Sequence, residues 1–172
     1  MLGGSPEIRA FEPAHAQGVI ELILPIQQLE FGIPVSLNDQ PDLQDIPRFY
    51  QHGCGNFWVA LANDEVVGSV ALLDIGQGQT ALRKMFVMPT HRGAEHGVAR
   101  RLLAQLVDWC KSHAVREVYL GTTAKFLAAH RFYEKNGFVE IDRSELPVSF
   151  PVMAVDTKFY RLALGQARVL SP

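Results

Sequence analysis

The sequence predicts one mixed α/β domain in the order β-α-α-β-β-β-α-β-α-β-β. Three observations predict it. Residues 57–87 hold strand-length apolar, β-branched-rich runs separated by turn residues. Val98–His113 carries apolar residues at three- and four-residue spacings. Strand and helix patterns then alternate to the end. At 172 residues, 48% hydrophobic and 20% charged, the chain can bury a full core as a single unit spanning 1–172.

The elements follow in order. Glu7–Phe11 opens as a short strand. Pro13 suits the first turn of a helix whose apolar face is Val19, Ile20, Ile23 and Leu24, and Pro25 kinks or ends it. A second helix starts at Asp39-Gln40-Pro41 and runs through Leu43, Ile46, Phe49 and Tyr50, with Pro47 as an interruption. Phe57–Leu61 and Val66–Leu73 form a hairpin over Ala62-Asn63-Asp64-Glu65. Gly76-Gln77-Gly78-Gln79 turns into a strand over Thr80–Val87, which Pro89 ends. On the Val98–His113 helix, Ala99, Leu102, Leu103, Leu106, Val107 and Cys110 make one face, with charged residues on the other. Val115–Gly121 is a strand. Leu127–Lys135 is a helix stopped by Asn136-Gly137, a left-handed C-terminal cap. Phe138–Ile141 and Thr157–Leu164 close as strands. Residues 1–6 are expected to be flexible.

Charge is divided along the chain. Residues 1–80 carry ten acidic and two basic side chains, whereas residues 81–172 carry eight acidic and fourteen basic ones. The overall net charge of −2 argues against a generic nucleic-acid binder. No apolar run approaches the ~20 residues of a membrane helix, and the first residues lack the basic and apolar regions of a secretion signal. Cys54 and Cys110 form neither a disulfide framework nor a metal pair. A cytoplasmic protein without a membrane or nucleic-acid partner is expected.

Chemistry concentrates between Val87 and Leu103. There a strand runs into Pro89, then Arg92-Gly93-Ala94-Glu95-His96-Gly97-Val98-Ala99, then the amphipathic helix. A helix N-terminus exposes unpaired N–H groups at the positive end of its dipole. Gly93 and Gly97 let such groups close around a phosphate, and Arg92, Arg100 and Arg101 add positive charge. Neither the Walker nor the dinucleotide glycine pattern is present.

Leu82-Arg83-Lys84-Met85-Phe86-Val87-x-Pro89-x-x-Arg92-Gly93, followed by Gly97-Val98-Ala99 and Leu102-Leu103, resembles the acetyl-CoA-binding motif of the GCN5-related N-acetyltransferases. Ala128-Ala129-His130-Arg131-Phe132-Tyr133-Glu134-Lys135-Asn136-Gly137-Phe138 resembles that family's late helix and following strand. The resemblance covers residues 57–164. It implies an acyl-CoA N-acyltransferase-like fold, with a mainly antiparallel central sheet and flanking helices. Residues 80–141 would be the acetyl-CoA-binding core and residues 13–56 the variable acceptor side.

The resemblance also assigns roles. Phe86 and Val87 offer backbone groups to the pantetheine arm and the acetyl carbonyl. The N–H groups from Arg92 through Ala99 (Arg92, Gly93, Ala94, Glu95, His96, Gly97, Val98, Ala99) hold the pyrophosphate. Tyr133 protonates the departing CoA thiolate. Two departures stand out. The loop has an apparent two-residue insertion between Gly93 and Gly97. Phe126 occupies the place where the family often carries an asparagine. Relatives often use a strand glutamate as general base, but this strand holds Arg83 and Lys84. Glu117, Glu30, Asp39, Asp42 and Asp74 are the remaining carboxylates considered, and none is assigned.

The expected reaction is direct attack of a primary amine on the thioester of acetyl-CoA, an acyltransferase step that needs no metal. An amine with a lysine-like pKa is neutral at roughly one part in 2,500 at pH 7, so a base or water chain helps. The acidic first half suggests a cationic small-molecule or peptide acceptor. Competing classes are a non-catalytic acyl-CoA sensor, which has no need of Tyr133, and an interaction module, which has no need of the Arg92–Ala99 loop. A covalent route through Cys54 and His52 is weakly supported, because two residues apart in a loop fixes no geometry. His91 with His96, or His113 with His130, lacks a third metal ligand. Homodimers are frequent among proteins of this look, so a second copy is a candidate partner.

Overall fold

The computed structural model describes residues 4–165; residues 1–3, half of the segment expected to be flexible, lie outside it. Seven strands form one sheet in the order β1-β2-β3-β4-β5-β7-β6. They are β1 (Glu7–Ala10), β2 (Asn56–Ala62), β3 (Glu65–Gly76), β4 (Gln79–Val87), β5 (Glu117–Thr122), β6 (Val139–Ile141) and β7 (Lys158–Ala163). Every neighbouring pair is antiparallel except β4 and β5. The mixed α/β expectation with a mainly antiparallel sheet therefore holds. The β2–β3 connection is a two-residue hairpin, with Asn63 and Asp64 both at positive φ (52° and 66°), the geometry that matches strand twist.

Helices cover both faces. On one side lie α1 (Ala16–Pro25), α2 (Pro41–Gln44) and α3 (Ile46–Tyr50). Val19, Ile23, Leu43, Ile46 and Tyr50 pack there against Phe57, Val59 and Ala71 of the sheet. On the other side lie α4 (Val98–Ser112) and α5 (Leu127–Lys135). Val98, Leu102, Leu103, Leu106 and Cys110 of α4 pack with Trp58, Ala60, Leu72, Leu82 and Val118. Strand side chains alternate between the two layers, as the period of two requires.

Two boundaries differ from expectation. The second helix is two short helices, because Asp45 interrupts it and accepts the Arg48 N–H (3.3 Å) as the cap of α3. Pro47 then falls in the first turn of α3, where its missing donor costs nothing. After Pro25 the chain continues as a wider π turn over Ile26–Glu30, which carries it across the face of the sheet.

Between β4 and β5 the sheet opens. Their parallel pairing covers only Gln79↔Glu117, Thr80↔Val118 and Ala81↔Tyr119. From Leu82 onward β4 has no partner on its β5 side, and β5 beyond Tyr119 is paired only with β7. The result is a wedge whose walls are backbone edges.

Candidate active site

The N-terminus of α4 forms one end of this wedge. Gly97 is its N-cap at φ 63°, ψ 19°, a left-handed conformation that glycine adopts without strain. The N–H groups of His96 and Gly97 both donate to the Gly93 carbonyl (3.1 Å each), and that of Arg92 to Pro89 (3.4 Å). Three of the eight amides expected to face the pyrophosphate therefore already have acceptors. The amides without a backbone acceptor among the described residues are those of Gly93, Ala94, Glu95, Val98 and Ala99, joined by Arg100 in the first helical turn. One turn on, Nη1 of Arg101 is buried without a hydrogen-bond partner. The open amides suit an anionic group such as a diphosphate.

The Arg92 side chain does something else. Its Nε donates to the Val87 carbonyl (2.8 Å), and its two Nη atoms grip Glu30 bidentately (2.6 and 2.8 Å). This pairing holds the Glu30 carboxyl below its usual pKa, chiefly through the Arg92 hydrogen bond. The next residue, Phe31, is held from the opposite wall: its carbonyl accepts Lys125 Nζ (3.2 Å), and its ring meets Phe126 edge-on at 4.5 Å. The segment after α1 thus straps the β4-side loop to the β5–α5 loop. Phe126 makes that aromatic contact where the family's asparagine would offer a polar one.

A bulge shapes β4. Ser69 opposes Phe86 while Ala71 opposes Arg83, so β4 holds one extra residue. Lys84 sits there at φ 54°, and its carbonyl accepts the Ser69 hydroxyl (2.7 Å). Met88 donates its N–H to Val67 (2.8 Å). In the adjacent Gly68↔Val87 pairing the Val87 N–H and C=O therefore aim away from β3, toward the wedge. The same alternation turns the Phe86 backbone groups inward to Ser69. Of the two strand residues expected to serve the cofactor arm, only Val87 presents its backbone there; the Phe86 ring packs with the α1–α3 layer.

The bulge also sends Arg83 and Lys84 to the same face, under α2 and α3. Lys84 Nζ donates to Gln40 Oε1 (2.7 Å) and lies 3.5 Å from Asp42 Oδ2. Gln40 and Gln27 exchange amide hydrogen bonds (2.9 and 3.0 Å). Tyr50 donates its hydroxyl to Asp42 (2.6 Å). Burial pushes the Lys84 ammonium below its usual pKa, with Asp42 opposing. This network brings together residues up to 57 positions apart in sequence, from Gln27 to Lys84. Nothing in the local pattern of residues 27–50 marks Gln27 or Gln40 as members, and a bulge at a non-glycine residue leaves no sequence signal.

Tyr133 lies on α5, in the core layer on the face of the sheet opposite this network. Its helix ends in a Schellman motif: Phe138 N–H bonds the Tyr133 carbonyl (3.0 Å) and Gly137 N–H that of Glu134 (3.3 Å), with Gly137 at φ 94°. The accompanying apolar contact is the Tyr133–Phe138 ring pair at 5.4 Å. The turn chemistry therefore fixes the ring. Tyr133 is 5% exposed, and its hydroxyl has no hydrogen-bond partner among the described residues. Desolvation holds its pKa well above the ordinary phenol value, so the proton stays on at neutral pH.

The other candidates lie elsewhere. Glu117 accepts from Gln79 and Tyr119 (2.9 and 3.1 Å), and Asp39 from Ser36 (3.0 Å). Asp74 accepts the Cys54 and Gly76 N–H groups (3.1 and 2.8 Å). Asp42 is buried in the Lys84–Tyr50 network. The Cys54 thiol is pushed up to about 11 by burial and by Asp74, which leaves little thiolate for covalent catalysis. Among the described residues no group of three or more His, Cys, Asp or Glu side chains could hold a metal ion, and no helix is long and apolar enough to cross a membrane.

Comparison with known proteins agrees with this geometry. The chain is 36% identical to N-acetylaspartate synthetase of Danio rerio over 106 residues, which are 60% of this chain and 37% of that protein. It therefore matches little more than a third of that relative's length. An acetyltransferase of the GNAT family from Staphylococcus aureus Mu50 superposes with a TM-score of 0.89 at 38% identity, covering 94% of this chain and 100% of that one. PaiA N-acetyltransferase of Thermoplasma acidophilum, solved with coenzyme A, shares the fold at a TM-score of 0.71 and 17% identity, over 93% of this chain and 99% of that one. The sequence profile of the acetyltransferase (GNAT) family matches residues 20–138, a stretch that holds the wedge, the α4 loop and Tyr133, and the chain belongs to that family.

Proposed function

We propose that the protein is an acetyl-CoA-dependent N-acetyltransferase acting on a primary amine of a small molecule or peptide. Two observations carry this reading: the Tyr133 hydroxyl has no hydrogen-bond partner among the described residues on a side chain that is 5% exposed, and the β4 edge has no β5 partner beyond Ala81. In this reading the open amides of the Gly93–Arg100 segment receive the donor's diphosphate, and the Val87 N–H faces the acyl oxygen. The acceptor nitrogen attacks the thioester carbon, the C–S bond breaks, Tyr133 gives its proton to the sulfur, and the proton lost by the acylated nitrogen passes through water to restore the Tyr133 phenol. A fixed N–H aimed at developing charge contributes on the order of 3 kcal/mol. Holding donor and acceptor together removes much of the entropic barrier.

The Danio rerio relative is named for making an N-acetylated amino acid, which puts amino acids first among acceptors to test. Thiol release from acetyl-CoA over a panel of amines, amino acids, aminoglycosides and peptides is the direct assay. The reading expects turnover with at least one acceptor class and loss of it in Tyr133→Phe. Acetyl-CoA binding by calorimetry without thiol release on any acceptor would support a sensor instead, and absence of binding would sink both.

A further inference from the structure

We infer that the amine acceptor carries a carboxylate, and that Arg83 is the residue that receives it. The guanidinium sits on the stretch of β4 that has left its pairing with β5, on the face roofed by α3. Its Cζ lies 5.8 Å from the Phe49 ring and 5.9 Å from the Tyr50 ring. Its side chain is only 15% exposed. Yet its contacts among the described residues are a methionine sulfur, Met153 Sδ, at 3.9 Å and Asp42 Oδ2 at 3.9 Å, the latter too long for a hydrogen bond. A fork of five N–H donors held against two neighbouring aromatic rings therefore has no oxygen acceptor at hydrogen-bond distance among the described residues.

The carboxylates nearby do not fill the gap. Asp42 is committed to the Tyr50 hydroxyl at 2.6 Å and stands 3.5 Å from Lys84. Asp156 feels both Arg83 and Arg143, but its oxygen accepts the Met153 N–H (2.9 Å) and makes no ion pair with either. Arg83 and Lys84 share Asp42, at 3.9 and 3.5 Å. A planar fork left without an oxygen acceptor at hydrogen-bond distance matches a single carboxylate, bound bidentately. The rings beside it strengthen that contact by excluding water.

This revises the cationic acceptor suggested by the charge of the first eighty residues. Those acidic side chains are dispersed: Glu7 and Glu12 lie near Arg9, Glu30 grips Arg92, and Asp39, Asp45 and Asp74 accept backbone N–H groups. None of these lines the face beneath α3.

The inference rests on the acetyltransferase reading for turnover but not for binding, so the experiment has two arms. In the first, thiol release is measured with the twenty amino acids and their C-terminal amides. The best acid should exceed its amide roughly 10- to 100-fold in kcat/KM. Arg83→Gln should remove that preference through the acceptor KM, with the acetyl-CoA KM unchanged, while Arg83→Lys restores part of it. In the second arm, thermal protection of the CoA-saturated protein is measured with N-acetyl amino acids and their amides, a readout that needs no catalysis. Protection by acids alone, lost in Arg83→Gln, supports the site even if no acceptor turns over. Equal behaviour of acids and amides in the wild type, or an equal fall for both in Arg83→Gln with the fold intact by circular dichroism, overturns it.

Discussion

The two halves of the wedge are built from different materials. The half proposed to take the donor, from Val87 through α4 and α5, presents mainly backbone groups: open amides at a helix start, a strand N–H turned outward, and a tyrosine ring set by a helix-ending turn. The half proposed to take the acceptor, beneath α1–α3, holds side chains gathered from separate segments, with Asp42, Lys84, Gln40, Gln27 and Tyr50 in one buried network. Backbone sites survive much sequence change, because any residue supplies an N–H. Side-chain sites change with each substitution. A fold can thus keep one donor and vary its acceptors.

Several measurements can break or sharpen that contrast. The largest expected effect is on acceptor-side stability. Asp42→Asn leaves two buried cations without their nearest carboxylate and should cost about 3–5 kcal/mol, read as a lowered urea midpoint. A change below about 1 kcal/mol would show that the network is not a buried charge cluster. Next is Tyr133→Phe, which should lower kcat by roughly 100- to 1,000-fold while acetyl-CoA affinity moves less than about twofold, since the removed hydroxyl makes no ground-state hydrogen bond. Unchanged turnover would remove Tyr133 as the acid.

Gly97→Val is the donor-side counterpart. A Cβ there meets Arg100 Nη2 at 2.9 Å, on a backbone at φ 63°, so the helix start must shift. Acetyl-CoA affinity should fall at least about tenfold by calorimetry, with acceptor preference intact. Gly137→Ala should cost about 1 kcal/mol by forcing a side chain into positive φ. It should also lower kcat by moving Tyr133, and an effect on stability alone would separate the turn from the ring's position.

The smallest expected effect is at high pH. Burial raises the Tyr133 and Tyr50 phenols above their ordinary value. Above pH ~10 the unfolded chain therefore releases protons that the folded chain keeps, and stability falls as pH rises. Each tyrosine contributes up to about 1.4 kcal/mol per pH unit. Between pH 8 and 10.5 the two should cost roughly 1–2 kcal/mol in urea unfolding, with no loss from this source below pH 8. Cys54, Cys110, Tyr119 and Tyr160 are raised in the same direction and add to the fall, so Tyr133→Phe should remove about half of the Tyr133 and Tyr50 share only.

The legibility of the site follows the same division. The α4 loop was readable because glycine spacing before an amphipathic helix is a local pattern, and its φ values bear the glycines out at Gly93 and Gly97 (108° and 63°). The α5 boundary was readable to the residue, since Asn136-Gly137 stops a helix by local hydrogen bonding. The direction of the Phe86 backbone groups was not legible, because the direction of a strand's N–H depends on which neighbour pairs with it, and a bulge resets that alternation. The helix over 39–50 was misread because Asp45 caps the chain as readily as it continues it.

Local hydrogen bonding and periodicity act within a few residues, so the order of elements, the anion-ready helix start and the capped tyrosine are properties of the chain itself. The wedge between β4 and β5, the common face of Arg83 and Lys84, and the strap from Glu30 to Arg92 join segments up to 62 residues apart. Such contacts exist only once loops are closed and the sheet has set its register, which is why the acceptor side belongs to the tertiary structure alone.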